Sequence, residues 1–588
     1  MGYLTTFMSE NQSTMSTNQS ATGARWRLGE LAPPAFISQF PEHPPAISQL
    51  LYNRNLRDDD AVAAFLQPVY TRDLHDPYAL SGMEQAVRTV SEAIKAGERL
   101  VVHGDYDADG ITAAALLCTV LASLGADVHA FIPDRYTDGY GLSAQTLHRL
   151  HQEGAKLVVS VDCGISSAAA IAKARQAGLK VVVTDHHVPP RVLPDAEAVV
   201  NPHLPGDQYP NKALTGVGVA FKVAQALLSA SNLSPREQEA AQKWLLDLVA
   251  LGTVADLASL TGENRALVKY GLTVLRKTRR PGLKALMRVA GIDPVTCDSQ
   301  TIGYALAPRL NAAGRITHAK HALDLLLSVD EEEAARLAVE LNDLNTRRQD
   351  VTMTAVEEAK RRLGAITDDD RIIVLDGEWI SGIVGLVAGR LTQEYSRPSL
   401  VIERGPKVSR GSARSIPALN ILETLAAHKA FLSTYGGHAG AAGFSLPTEK
   451  LADFREALTA FARQSLSAAD IHPELFIDAE LAPQDVTWET LEQLQQFEPF
   501  GAGNRKPLLL LRRVKVSGRE TVGKDKTHLK LRLELPDGNV LQAIAFGLAH
   551  AEALCTPGAD IDLVGTPVAN SFNNTQSLEW HVNDFRRP

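Results

Sequence analysis

The chain has 588 residues, 45% hydrophobic and 22% charged, with a formal net charge of −9. That balance admits several soluble globular domains and argues against a chain that coats nucleic acid by bulk attraction. Cys118, Cys163, Cys297 and Cys555 stand far apart with no CxxC pair, so neither a disulfide framework nor a zinc ribbon is expected.

Residues 1–23, rich in Ser, Thr, Asn and Gln, predict a disordered tail. There is no apolar run of the roughly 18 residues a membrane helix needs and no signal-peptide pattern, so a cytoplasmic location is expected. From Arg99 strands and helices alternate: Arg99–His103, a helix from Gly110, residues 127–132, a helix from Ser143, residues 156–161, a helix from Ser166, and Lys180–Thr184. This alternation predicts a parallel sheet with helices on both faces. Residues 215–327 read as mostly helical. Glu331–Leu363 runs without Gly or Pro, carries Leu337, Leu341 and Leu344 at helical spacing and stops at Gly364, which predicts one long helix bridging two lobes. A second α/β unit opens at residues 371–375, with a Gly-rich helix start at Ser381-Gly-Ile-Val-Gly385. From about Pro473 onward, alternating segments such as 529–535 and 540–546 predict a small β-barrel. Residues 505–532 hold ten Lys or Arg against two acidic residues, a candidate basic stripe.

Chemistry-bearing residues gather at the predicted strand ends, where open α/β sheets place their sites. They are His103, Asp105, Asp107 and Asp109 in His103-Gly-Asp-Tyr-Asp-Ala-Asp-Gly110, then Asp162, then Asp185-His186-His187, then Asp256. Taken singly, Asp162 or Asp256 reads as a helix cap. Together these residues offer hard oxygen donors and a few imidazoles, a set suited to manganese or magnesium rather than to thiolate-bound zinc.

The order of HxxxDxD, a lone Asp, Asp-His-His and a later Asp resembles the DHH phosphoesterase superfamily. The wording of residues 136–143, 161–167, 214–221 and 307–315 is similar to its branch of single-strand-specific DNA exonucleases. The resemblance implies an α/β protein with a parallel-sheet DHH catalytic domain carrying a helical insert (24–330), a bridging helix (331–364), a DHH-associated α/β domain (365–470) and an OB-fold barrel (471–588). It implies two Mn2+ or Mg2+ ions per site, bridged by Asp162. Asp107 would hold one ion; Asp109, His186 and Asp256 would hold the other. His103 would join the first ion, a duty that Asp105 or solvent could share. Two such ions, roughly 3.5–4 Å apart, orient a phosphodiester and neutralise its developing charge.

The same resemblance sets His187 at the scissile phosphate, with Asp185 orienting a neighbour. Arg309, Asn311 and Arg315, read as a loop, would grip adjacent phosphates, with a structural salt bridge as the rival role. Ser412, Arg414 and His438 in the second lobe would recognise a 5′-phosphate. One departure is Ile380, where such chains commonly carry a histidine. In the barrel, Arg512, Arg513, Lys524, Lys526 and Lys530 would track a single strand, while Phe546 and Phe572 could serve either as stacking platforms or as core.

The implied activity is 5′-to-3′ digestion of single-stranded DNA to mononucleotides in repair and recombination, with a helicase and a single-strand-binding protein as partners. The rivals are a DHH enzyme for small substrates (a nanoRNase, a cyclic-dinucleotide phosphodiesterase or a pyrophosphatase) and a non-catalytic nucleic-acid-binding scaffold. The helical insert and basic barrel would be superfluous for the former; the latter would have eroded ligands, and the ligands are present.

Overall fold

Five short apolar segments pair into one parallel sheet in the order Asp127–Phe131, Arg99–His103, Leu157–Val161, Lys180–Thr184, Ala198–Val200. The computed structural model describes residues 20–135, 137–139, 141–572 and 575–588. Side chains alternate across the sheet: Leu100, Val102, Leu157 and Val159 enter one core, and Val101, Val158, Val181 and Val183 the other. Burial on both faces is why these strands read as continuous apolar runs. In chain order the strands run 2-1-3-4-5, so the topological switch point lies between Arg99–His103 and Leu157–Val161. The segments after those two strands carry Asp105, Asp107, Asp109 and Asp162.

The helix after the first strand spans Ala108–Ser123, two residues earlier than expected, because Asp107 caps it by accepting from the amides of Asp109 and Gly110. The helical region beyond the sheet includes Gly216–Ser229, Leu246–Ala255 and Ala307–Ile316. The last of these corrects the loop expected around Arg309: it runs on from Ser299–Thr301 and a π-helical stretch, Ile302–Leu306, and Pro308 follows directly on that stretch. Glu331–Leu363 is one helix of 33 residues, capped by Asp330, with three Glu in its first turn and Lys360, Arg361 and Arg362 in its last. That charge order complements the helix dipole. Its early turns pack on Pro281–Val289 and Ala307–Ile316 and its later ones on Ser381–Tyr395. The second α/β sheet runs Thr434–His438, Ala441–Pro447, Val408–Arg414, Ser399–Glu403, Ile373–Gly377, parallel only between the last two.

All of this belongs to one compact unit, Ala63–Ser467 with Glu498–Arg505. The other unit comprises the segment ending at Val62, Ala468–Phe497 and Lys506–Pro588. Residues 24–62, grouped with the catalytic domain in the sequence reading, fall in this second unit because strand Arg25–Leu28 pairs in parallel with Glu474–Ile477. Leu509–Val522, His528–Glu534, Val540–Ala545, Thr575–Arg586 and Asp560–Phe572 form a barrel that closes where the first pairs with the last. The tail expected at residues 1–23 lies outside the described residues up to residue 19. Just after it, Ala21 donates to Phe585 O at 2.8 Å and Thr22 Oγ1 to Asp584 at 2.8 Å. Among the described residues no helix is long and apolar enough to cross a membrane.

Candidate metal centre and its phosphate-facing groups

The first acidic segment is folded tightly by two glycines. A Cβ on Gly110 would lie 2.5 Å from Asp105 N, and one on Gly104 would lie 2.7 Å from Gly110 O. Asn311 Oδ1 accepts from Ala108 N at 2.8 Å and fixes the segment from the side of helix Ala307–Ile316. That bond gives the Asn311 oxygen a positioning contact. Asp109 turns inward and accepts from Gly216 N at 2.7 Å and Val217 N at 2.8 Å, the first amides of helix Gly216–Ser229. An anion at a helix N-terminus is favoured by both the amides and the dipole.

Asp162 follows the central strand with φ of 59°, a left-handed conformation unusual for a residue with a side chain. Gly216 is required beside it, since a Cβ there would approach Asp162 Cβ to 2.3 Å. His186 Nε2 lies 3.1 Å from Asp162 Oδ1, 3.9 Å from Asp109 Oδ2 and 4.0 Å from Asp256 Oδ2. The donor atoms group as Asp105/Asp107/Asp162, Asp109/His186/Asp256 and Asp162/His186/His187, each within 4.8 Å. Asp162 thus stands between two ligand sets. Asp105 is in one of them; His103 is in none, and its Nδ1 lies 3.7 Å from Cys163 Sγ.

The electrostatics of this cluster call for cations. Burial, followed by repulsion from neighbouring carboxylates, pushes Asp109 and Asp162 well above the usual carboxylate range, Asp105 up to about 8 and Asp256 up to about 7. Burial also holds His186 down at about 4, so its ring is neutral and able to ligate. Asp162 Oδ1 and Asp105 Oδ1 are buried without a hydrogen-bond partner, the former despite the imidazole 3.1 Å away. Lone pairs that converge but do not hydrogen-bond, on hard oxygens and one neutral imidazole, fit Mn2+ or Mg2+. No thiol enters the group: Cys163 is buried and faces His103.

Asp185 works differently. Its oxygens accept from Ile165 N at 2.9 Å, His186 N at 2.7 Å, His187 N at 3.1 Å and the His187 ring at Nδ1, 2.8 Å. Burial raises its pKa, yet the His187 bond and the amides outweigh that and keep it below the usual carboxylate range. Burial correspondingly lowers His187, but the bond to Asp185 prevails and raises it, favouring the imidazolium.

Arg309, Arg315, Ser412 and Arg414 lie in the same unit. Arg309 Nε donates to Asn342 Oδ1 at 3.1 Å and Arg315 Nη1 to Gly382 O at 3.0 Å. Ser412 and Arg414 alternate on one face of strand Val408–Arg414 beside Gly385, where a Cβ would sit 3.0 Å from Ser412 Oγ and 3.3 Å from Arg414 Nη2. His438 ends the exposed strand Thr434–His438 and accepts from Gly440 N through Nδ1 at 3.2 Å. In the barrel unit, Lys524 and Lys526 are exposed in the turn between Leu509–Val522 and His528–Glu534, and Lys530 lines a cavity of about 500 Å³. Arg512 is drawn into an ion pair with Glu480 at 2.7 Å, and Arg513 is exposed. Phe546, 58% exposed, lines that cavity between the rings of His528 and His581, at 5.3 and 5.5 Å. It is not core; the side chain of Phe572 lies outside the described residues. Sequence reasoning gave no role to Gly216 or to Gly252, where a Cβ would lie 2.9 Å from Asp109 Oδ1. The spacing in Leu214-Thr-Gly-Val-Gly218 was the one available signal for the first.

A parallel sheet whose switch point carries an Asp- and His-built two-centre site, followed by a second α/β sheet with a Ser and Arg face, defines a DHH phosphoesterase. Family models agree in chain order: the DHH family N-terminal domain matches residues 99–253, the DHHA1 domain 369–464 and the RecJ OB domain 477–584. The single-stranded-DNA-specific exonuclease RecJ of Bacillus subtilis is 36% identical over 92% of this chain and 68% of its own length. Crystal structures of Thermus thermophilus RecJ with Mn2+ and with Mg2+ superpose with TM-scores of 0.81 and 0.75, at 32% and 30% identity. Each covers 96% of this chain, and 80% and 79% of the respective RecJ chain is matched. The chain belongs to the RecJ family of single-stranded-DNA-specific exonucleases.

Proposed function

We infer that this chain hydrolyses single-stranded DNA from its 5′ end to mononucleotides, using two divalent ions. The observation that carries the reading is the Asp162-centred pair of ligand sets, with its buried, unpartnered carboxylate oxygens. Asp162 would be shared by both sets, Asp107 and Asp105 would complete one, and Asp109, His186 and Asp256 would complete the other. His103, whose buried Nε2 has no hydrogen-bond partner, would join the first set. When bound, the ions supply Lewis-acid polarisation of the phosphodiester and neutralise charge on its oxygens.

The chain's own groups do the rest. Asp185 holds His187 by Nδ1 and favours its charged form, so that the ring meets a phosphate oxygen through Nε2 as a cationic donor. Arg309 and Arg315 steady neighbouring phosphates, and Asn311 holds the acidic segment in place. Ser412, Arg414 and His438 receive the terminal 5′-phosphate and set the polarity of digestion. In the barrel, Phe546 offers a base a stacking surface flanked by Lys530, and Lys524 and Lys526 attract the backbone. A helicase and a single-strand-binding protein are the partners such a substrate calls for, in repair and recombination in the cytoplasm.

The experiment is digestion of end-labelled strands, with and without a 5′-phosphate, in Mn2+ and in Mg2+, beside a blunt duplex. Labelled mononucleotides should leave the 5′ end of the single strand first. Equal digestion of the duplex, or release from the 3′ end, would overturn the reading.

A further inference from the structure

The bridging helix has a second polar face that these roles leave unused. Asn342, Asn345 and Arg348 recur every three residues along Glu331–Leu363 and so share one side. That side meets helix Ala307–Ile316, where Arg309 donates to Asn342. Asn345 is 3% exposed and its Oδ1 has no hydrogen-bond partner; Arg348 Nε is also buried without one. Polar groups removed from water and left unmet are costly and call for an occupant. A half-turn of the amide exchanges oxygen for NH2, which would make the unmet acceptor of Asn345 a second donor one helical turn from Arg348.

The surroundings are cationic. Burial and then the charge of Arg309 lower the pKa of Arg348. Arg315 is lowered to about 10 by burial and then by Arg135, Arg348 and Arg414; Asp107 is the carboxylate acting against them. Among the described residues no acidic side chain pairs with Arg309, Arg348 or Arg414. Arg315 thus feels Asp107 on one hand and Arg135, Arg348 and Arg414 on the other. Guanidiniums drawn out of water that repel one another, three of them without an acidic partner, are built for an anion from outside the chain.

We propose that Asn345 and Arg348, together with Arg309, form a subsite for one non-scissile phosphodiester of the strand being digested. The subsite rests on the exonuclease reading and extends it to a grip on the body of the strand, apart from the metal centre and the terminal-phosphate lobe. It ties the helix joining the two α/β sheets directly to substrate.

The test is a scan with single methylphosphonate linkages, each removing one backbone charge, at successive positions of a labelled single strand. Wild type should lose roughly ten- to a hundredfold in kcat/KM at one linkage through this contact. Arg348→Ala should show a comparable rise in KM on the unmodified strand and no further loss at that linkage. Its salt-dependence slope should fall by about 0.7. Arg348→Lys should restore part of the binding, and Asn345→Ala should weaken the same linkage. Thermal unfolding separates this from a structural role: if Arg348→Ala does not fold, Arg348→Lys and Asn345→Ala carry the comparison. An unshifted linkage profile in the folded variants overturns the subsite. Failure of wild type to digest the strand at all would instead overturn the exonuclease reading.

Discussion

Gly216→Ala adds a single methyl group at the point where the two ligand sets meet. The new Cβ would stand 2.3 Å from Asp162 Cβ and 2.5 Å from its Cγ and Oδ1. Carbon atoms settle at about 3.5–4.0 Å, so one partner must yield by roughly 1 Å or more. Asp162 sits on a strained left-handed backbone and is 2% exposed, and Gly216 N is itself a donor to Asp109 at 2.7 Å. Either movement therefore displaces a carboxylate. Misplacement by about 1 Å costs on the order of 100-fold in rate, and overpacking of this kind costs about 1–3 kcal/mol in stability. The assay is kcat for single-strand digestion across a Mn2+ titration, with thermal unfolding alongside. The expected result is a fall of about 100-fold in kcat with a higher Mn2+ requirement. Gly218→Ala is the control: its Cβ meets only the flexible Leu214 side chain, at 3.1 Å, and the Thr215 hydroxyl, so activity should stay within a few-fold of wild type. Wild-type activity and metal requirement in Gly216→Ala would refute the placement of Asp162.

Asp185→Asn puts an amide among four donors and removes the charge that favours the His187 imidazolium. Activity should fall about 10–100-fold and the alkaline limb of the pH–rate profile should move to lower pH; an unmoved limb would separate His187 from the chemistry. In chelator the protein should lose stability as pH rises from about 4 to about 8. Folded Asp105 and Asp256 keep their protons to about 8 and about 7, whereas an unfolded aspartate releases its own near 4, so the folded state binds more protons across that window. Mn2+ should reverse the trend, and a Tm that climbs with pH in chelator would contradict the cluster's electrostatics. Phe546→Ala should weaken binding of long single strands by about 1–3 kcal/mol with little change in Tm, read by titration of a labelled strand.

The residues show what a sequence makes legible and what it hides. Each acidic cluster stood at the end of an apolar run, and burial on both sheet faces makes such runs easy to read as strands; four of the five sheet strands were expected within a residue or so, and Ala198–Val200 is too short to leave a pattern. Strand order was not readable, because the pairing of Arg99–His103 with both Asp127–Phe131 and Leu157–Val161 depends on crossovers rather than on local pattern. Helix Ala307–Ile316 was hidden by Pro308, Asn311 and Gly314, residues usual in loops. Here Pro308 follows a π-helical stretch, Ile302–Leu306, within a continuous helical run, and Gly314 lets Tyr106 O come close, since a Cβ there would lie 2.7 Å from it. The pairing of Arg25–Leu28 with Glu474–Ile477 spans 449 positions and leaves no trace in either segment. Gly216 stood in a legible Gly-x-Gly spacing, but its need for a bare Cα comes from Asp162 beside it, which only the folded neighbours disclose.

The most direct test of the central claim is anomalous diffraction at the manganese edge from crystals grown with Mn2+. Two peaks roughly 3.5–4 Å apart are expected. Asp162 should lie between them, with Asp105 and Asp107 on one and Asp109, His186 and Asp256 on the other. A single peak, or a pair that does not share Asp162, would contradict the two-ion account.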